Sequence, residues 1–344
     1  MIKGLVWKSP KKNPFQVAGL AWFEKDRAWK RMPVKPREKL PEAVDNLAKS
    51  TAGAQIRFRT DSRKVALRVR LPRPHGMDHM PATGECGFDC YVGPAGKMRY
   101  AGTIRYDRAQ VRYESVVFET DAPRERREIT LNFPLYNGVK DVRVGLERGA
   151  RVWPPLPLRG RVVVYGTSIT QGGCASRPGM CWTNIASRSL GMEFINLGFS
   201  GNGRGEPEVA RTIASIPRVS LFVLEYEPNC VSTEKLKETF PEFLRILRKA
   251  HPRTPILVAS RIKYARDLWL ADWPKFGRER KAFQRRTIAK LRAAGDRRIF
   301  FFDGSTLLGP DFDECAVDGV HPTDLGFTRI ADGMIPQIKR TLRH

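Results

Sequence analysis

Ser168, Asp318 and His321 are the residues of this chain whose types and spacing could do chemistry. Ser168 lies in Gly166-Thr167-Ser168-Ile169-Thr170, directly after the apolar run Val162-Val163-Val164-Tyr165. Asp318 and His321 stand three residues apart in Asp318-Gly319-Val320-His321-Pro322, far downstream. A serine hydroxyl is a poor nucleophile until a base takes its proton, and an imidazole is the usual base. An acid beside the imidazole can hold its other nitrogen and fix the tautomer. A serine at the end of a buried strand, joined to a late Asp/His pair, therefore points to nucleophilic attack on an acyl carbon. Each piece alone also reads as an ordinary turn or loop. The weight comes from their joint presence, because the chemistry needs all of them.

These residues need elements that carry position 168 to positions 318–321. After residue 160 the sequence alternates between apolar runs and helical periodicity. Strands are predicted at Val162–Tyr165, Phe194–Leu197, Leu221–Leu224, Pro255–Ala259 and Ile299–Phe302. Helices are predicted at about 181–190, 206–216, 233–250, 277–294 and 323–342. Near-continuous apolar strands alternating with helices imply a parallel sheet covered on both faces. Ligands of such sheets bind outside the carboxyl ends of the strands, where Ser168 falls. Pro241 is expected to split or kink the helix over 233–250.

The first half has a different texture. Ala54–Arg59, Val65–Arg70, Glu128–Phe133 and Val142–Leu146 alternate apolar and polar residues with period two, and Asp61-Ser62-Arg63 supplies a turn between the first two. Many short strands without a long helix predict a β-sandwich or jelly roll. Val152-Trp153-Pro154-Pro155-Leu156-Pro157-Leu158 marks a boundary, because clustered prolines suit neither a helix interior nor a central strand. The expected organisation is a sandwich domain at 1–152, a stiff linker at 153–159 and an α/β domain at 160–344.

Composition sets limits. The chain has 344 residues, 41% of them hydrophobic, enough to bury a sizeable core. No apolar run approaches the ~18 residues of a membrane span. The N-terminal residues lack the uninterrupted apolar stretch of a signal peptide. The expectation is a cytoplasmic chain, or a secreted or periplasmic one if a leader was removed. A net charge of +25 is spread along the whole chain without a basic tail. Diffuse charge speaks against a nucleic-acid partner and fits either a generally basic surface or attraction to an anionic glycan.

Six cysteines are too few for a disulfide scaffold. Cys86 and Cys90 are expected on one strand, too far apart to bridge, and a Cys174–Cys181 disulfide is a minor option. His75, His79, Cys86 and Cys90 offer four ligand types, but their spacing matches no common zinc module. The loop 75–84 is instead expected to border the catalytic cleft. Gly198-x-x-Gly201-x-Gly203 lacks the ending of a phosphate cradle. Glu225 and Glu227 stand too close for a glycosidase pair, so one is expected to be structural and the other to line the cleft. Trp182, Trp269 and Trp273 could stack on sugars or simply pack.

The order of four blocks, Ser168, then Gly198–Gly203, then Leu224–Asn229, then Asp318/His321, resembles the SGNH hydrolases, also called the GDSL esterase/lipase family. The resemblance covers about residues 160–342. Ser168 matches the family's serine, Gly201 its glycine, Asn229 its asparagine, and Asp318 and His321 its last block. Thr167 departs from the pattern, which has an aspartate there. The string Tyr165–Gly173 and the segments 52–58 and 134–139 are similar to a two-domain bacterial branch that includes carbohydrate esterases. The resemblance implies a three-layer α/β/α, flavodoxin-like hydrolase domain preceded by an all-β jelly-roll or sandwich domain. It implies ester hydrolysis through an acyl-Ser168 intermediate, with His321 as base and Asp318 as orienter. The oxyanion would be held by the Ser168 and Gly201 N–H groups and the Asn229 side chain. No metal or organic cofactor is implied. A small-molecule or oligosaccharide ester, first of all an acetylated carbohydrate, is the expected substrate. Lipase or thioesterase action is the alternative, and a non-catalytic glycan- or polyanion-binding protein on a hydrolase fold is the rival reading.

Overall fold

A computed structural model describes residues 2–344. Its second half is a five-stranded parallel sheet. We label its strands β1 (Arg161–Gly166), β2 (Glu193–Gly198), β3 (Leu221–Glu225), β4 (Ile256–Ala259) and β5 (Ile299–Phe302). The spatial order is β2-β1-β3-β4-β5. The helices are α1 (Ser168–Gln171), α2 (Trp182–Leu190), α3 (Pro207–Ala214), α4 (Thr233–Ala250), α5 (Asp272–Ala293) and α6 (Asp324–Thr341).

Strand alternation explains the three layers. Val163 and Tyr165 of β1 face one side with Ile195, Leu197, Phe222, Leu224, Ile256 and Val258, under α3, α4 and α5. Val162 and Val164 face the other side with Phe194, Leu221, Val223 and Leu257, under α2 and α6. β1 to β4 are buried on both faces and the edge strand β5 is half-buried, so the apolar runs are continuous. α4 runs unbroken through Pro241, so the proline does not split it. Phe240, Phe243, Leu244 and Leu247 are buried in the core, and this packing outweighs the one backbone hydrogen bond that proline removes. None of the helices among the described residues is long and apolar enough to cross a membrane.

The first half is a sandwich of two antiparallel sheets. One has the order Leu5–Lys8, Asp141–Glu147, Lys64–Arg70, Arg112–Glu119. The other has the order Val152–Trp153, Gln55–Thr60, Arg127–Asn132, Asp89–Val92, Arg99–Thr103, with Gln16–Ala18 also pairing to Gln55–Thr60. Ile56, Phe58, Val65, Leu67, Ile129, Leu131, Val142 and Val144 fill the space between them. The turn at 61–63 closes no hairpin, since the strands on either side belong to different sheets. Residues 152–153 pair with Thr60 and Arg59, and the proline segment behind them is fastened to the sandwich. Leu156 donates its N–H to the buried Glu128 carboxylate, and its carbonyl accepts from Arg57.

The two halves share packing. Met32, Leu40, Val44 and Ala48 join the core over one face of the parallel sheet, and Ala52, Leu135 and Tyr136 join the core over the other. Arg31 is fully buried between the halves. Its guanidinium donates to the carbonyls of Ser50 and Leu47, both at 2.8 Å, and to Asn196 and Gly198 at the end of β2. It also lies 4.8 Å from the centre of the Phe199 ring. Burial holds its pKa down to about 9. Replacing it would strand several buried carbonyls. Arg31→Met is therefore expected to lower stability by at least about 3 kcal/mol, read from urea unfolding curves. An unchanged midpoint would show that the guanidinium is dispensable.

Candidate active site

The register of the sheet sets the site. Gly166 of β1 pairs level with Gly198 of β2 and with Glu225 of β3. Ser168, Gly201 and Asn229 follow those three positions by two to four residues, so they leave the sheet at one edge. Ser168 opens the single-turn helix α1 and is nearly buried. Thr167 is its N-cap: the hydroxyl accepts the Ile169 N–H at 3.2 Å and donates to Glu225 at 3.1 Å. Capping needs a short oxygen-bearing side chain, and threonine supplies one, as aspartate does. This accounts for the departure at position 167. Gly198 has to be glycine, since a Cβ there would stand 2.2 Å from the Gln171 nitrogen and 2.7 Å from the Thr167 carbonyl.

Asp318 builds its own loop and orients the imidazole at once. One carboxylate oxygen accepts the N–H groups of Val320 (3.0 Å) and His321 (2.8 Å). The other lies 2.7 Å from His321 Nδ1. His321 Nε2 lies 2.8 Å from Ser168 Oγ. With a proton on Nδ1, Nε2 is left to accept from the serine hydroxyl. Burial pulls the Asp318 carboxyl upward, but the bonds from His321 and Val320 outweigh it and hold it down to about 2. It is therefore charged throughout the neutral range.

Gly201 adopts φ 63°, a left-handed conformation that favours glycine, and the space where its Cβ would be is open. Among the described residues, neither its N–H nor that of Ser168 has a protein acceptor. Both are free to donate to a negative oxygen, the latter as the first residue of a helix. Asn229 closes the short 3-10 turn Glu227–Asn229. Its side-chain amide donates to the carbonyls of Phe199 (2.9 Å) and Asn202, bracing the loop that carries Gly201.

Several contributors escape sequence reasoning. Tyr136, from the sandwich half, donates its hydroxyl to the Ser168 carbonyl at 3.1 Å. Gln171 is fully buried and joins three segments, donating to the Leu135 carbonyl and accepting from the Ser200 N–H. Tyr136 sits in the segment 134–139, whose sequence carries no sign that it reaches residue 168. The loop 75–84 does border the site: the rings of His79 and His321 are 6.0 Å apart. Its base is held by the buried Glu85, which accepts from the Gly76 and Met77 N–H groups and from Arg73.

The reading of most cysteines as small buried hydrophobes holds, while the shared strand for Cys86 and Cys90 needs correction. Cys86 ends the short helix Ala82–Glu85 and only Cys90 lies on a strand, Asp89–Val92. All six cysteines are free and buried, so no Cys174–Cys181 disulfide forms. Cys181 instead directs its thiol at the Thr170 carbonyl. Trp182 packs in the core, Trp273 stands edge-on to Tyr264, and Trp269 is 81% exposed. Glu227 is fully buried, accepts the Arg261 N–H, and stands 3.9 Å from Arg280. Glu225 lies under α1, accepting from Thr167 and Thr170.

Comparison with known proteins places this geometry. Residues 159–339 match the GDSL-like lipase/acylhydrolase family. Residues 5–152 match the family described as the N-terminus of Esterase SGNH hydro-type. No curated protein matches the chain. Among solved structures, a protein described as a GDSL-like lipase from Bacteroides ovatus is 30% identical over 98% of both chains, with a TM-score of 0.91. A salicylyl-acyltransferase of a tetracycline biosynthetic pathway is 21% identical, covering 99% of this chain and 98% of its own, with a TM-score of 0.77. A family two carbohydrate esterase from Cellvibrio japonicus is 13% identical over 98% of both chains, with a TM-score of 0.62. The last two likenesses show the fold.

The anchor beneath α1 is open to test. Burial, with a contribution from Glu227, raises the Glu225 pKa to about 7 against the bonds from both threonines. A carboxyl with a raised native pKa stabilises the fold fully below its unfolded pKa, and that stability is lost as pH rises through the native value. Between pH ~4.5 and ~7 the native protein is thus expected to lose about 2–3 kcal/mol relative to Glu225→Gln. Urea unfolding of both proteins at pH 5 and pH 8 checks this, and parallel curves would refute it.

Proposed function

The chain belongs to the GDSL-like lipase/acylhydrolase family, and on that premise we propose that it is a serine esterase that removes a short acyl group, first of all acetyl, from a carbohydrate. The observation that carries this reading is the unbroken relay from Ser168 Oγ through His321 to Asp318.

In the proposed reaction Ser168 Oγ attacks the ester carbonyl and its proton passes to His321 Nε2. Asp318 steadies the imidazolium through Nδ1. The oxyanion settles against the N–H groups of Ser168 and Gly201. Asn229 assists by sharing one amide hydrogen between the Asn202 carbonyl and the oxyanion. Collapse breaks the bond to the alcohol, which leaves with the proton from His321. Water then attacks the acyl-serine by the same route and restores the enzyme.

Gly173 packs tightly beside the relay, since a Cβ there would stand 2.8 Å from the Tyr136 hydroxyl and 3.3 Å from the His321 ring. The likeness in fold to carbohydrate esterases, one of them described in complex with cellohexaose, supports a sugar as the alcohol. A cavity of about 370 Å³ at the carboxyl ends of β4 and β5 is lined by Lys263, Arg278, Lys281 and the paired Arg261 and Asp267, among others. Lys263 and Arg278 have no carboxylate partner there among the described residues, which suits an anionic sugar.

Ser168→Ala is expected to lower turnover of p-nitrophenyl acetate by about 10⁴-fold or more, and Asp318→Asn by about 10³–10⁴-fold. Equal rates for wild type and Ser168→Ala would defeat the assignment. Preference for longer acyl chains would favour a lipase or thioesterase, and absence of turnover a binding protein. For substrate charge, Lys263→Glu is expected to raise KM several-fold for an acetylated acidic oligosaccharide and to leave a neutral one unaffected. Equal effects on both would remove the anionic-glycan reading.

A further inference from the structure

Three side chains with metal-ligating atoms converge on the relay. His79 comes from the loop of the sandwich half, Cys174 from the loop after α1, and His321 from the C-terminal loop. One ligand atom from each lies within 4.8 Å of the others. We infer that His79, Cys174 and His321 form a site for a thiophilic divalent cation, zinc above all, and that the bound cation silences the hydrolase by taking His321 away from Ser168. The silencing rests on the proposed role of His321 as base; the binding does not.

The donor set is the first reason. Two imidazoles and a thiolate suit zinc and its soft neighbours rather than magnesium or calcium. The orientation of both rings is the second. His79 Nδ1 lies 2.8 Å from the Asp78 carboxylate, and His321 Nδ1 lies 2.7 Å from that of Asp318. Carboxylates that hold one ring nitrogen leave the other for a metal and raise its basicity, a recurrent second layer around zinc. Cys174 is the third. It is 4% exposed and takes φ 73°, a backbone conformation uncommon for a side-chain-bearing residue, beside the catalytic loop.

Metal–nitrogen distances of 2.0–2.1 Å and metal–sulfur distances near 2.3 Å put tetrahedral ligand atoms about 3.3–3.6 Å apart. The cluster therefore needs to close by up to about 1.5 Å, and His79, on a surface loop, is the member with the most room to do so. Water would fill the fourth position. Coordination breaks the Cys174 S–H bond and releases its proton to solvent, with no change in oxidation state. The hydrogen bond between Ser168 and His321 is lost at the same time. The neighbouring group of His75, Glu85 and Cys86 differs, because Glu85 already spends its oxygens on Arg73 and two backbone N–H groups.

The test uses the full chain with cobalt and zinc ions alone. Titration with Co²⁺ is expected to give a thiolate-to-cobalt charge-transfer band that saturates at one equivalent and vanishes in Cys174→Ser. Zinc is expected to inhibit p-nitrophenyl acetate hydrolysis, with activity restored by a chelator. Cys174→Ser is expected to hydrolyse the ester normally while needing at least about tenfold more zinc for inhibition. His79→Gln, a change on an exposed loop, is expected to shift the zinc midpoint in the same direction. An unchanged zinc midpoint in Cys174→Ser, or no charge-transfer band in the native protein, would overturn the site. A band that persists in a protein without ester turnover would leave the metal site standing and defeat only the esterase reading.

Discussion

The buried guanidinium of Arg31 is the interaction on which the rest of the structure depends. Among the described residues it has no carboxylate partner, and its charge is stabilised instead by carbonyls from both halves and by the face of Phe199. A buried charge is tolerated only when its donors are met. The carbonyls of Asn196 and Gly198 can meet them only if the sandwich half is seated against the end of β2. The loop that carries Gly201 begins directly after this anchor. The position of a backbone N–H near the serine thus depends on a residue more than 160 positions earlier in sequence.

A second layer of polar contacts fixes Ser168. Thr167 caps α1 and reaches Glu225 on the next strand, while Gln171 ties α1 to Leu135 and Ser200. Most of these groups are buried, so each bond is made in low dielectric and a missing partner would be costly. Glu225 accepts this environment through a pKa raised to about 7, taking up a proton below that pH. The serine is consequently held by bonds to β3, to the Gly201 loop and to the sandwich half, rather than by its own turn alone.

The sandwich half also shapes the site directly. Tyr136 bonds the Ser168 carbonyl, and the loop held at its base by Glu85 brings His79 within 6.0 Å of His321, ring to ring. The first half therefore acts as one wall of the site. Cys174 stands between these groups, where a soft cation could bridge the two halves.

Much of this was legible in the sequence. The five strands of the parallel sheet and its longer helices follow from hydrophobic period, because β1 to β4 are buried on both faces, β5 is half-buried and each helix is buried on one. Ser168, Asp318 and His321 were legible because their chemistry requires those residue types in company, and Asp318 and His321 meet within a single loop. Tertiary structure alone decided the remainder. The sandwich strands could be read, but not that the turn at 61–63 crosses between sheets, since local alternation is the same for a hairpin and a crossover. Pro241 signalled a break that core packing overrode. Arg31 sits in a segment without periodicity or motif, and although Tyr136, Gln171 and His79 fall in stretches that the sequence marks, nothing local says which groups they meet. Their roles arise from contacts between distant parts of the chain, and no local pattern encodes which carbonyl a buried donor will meet.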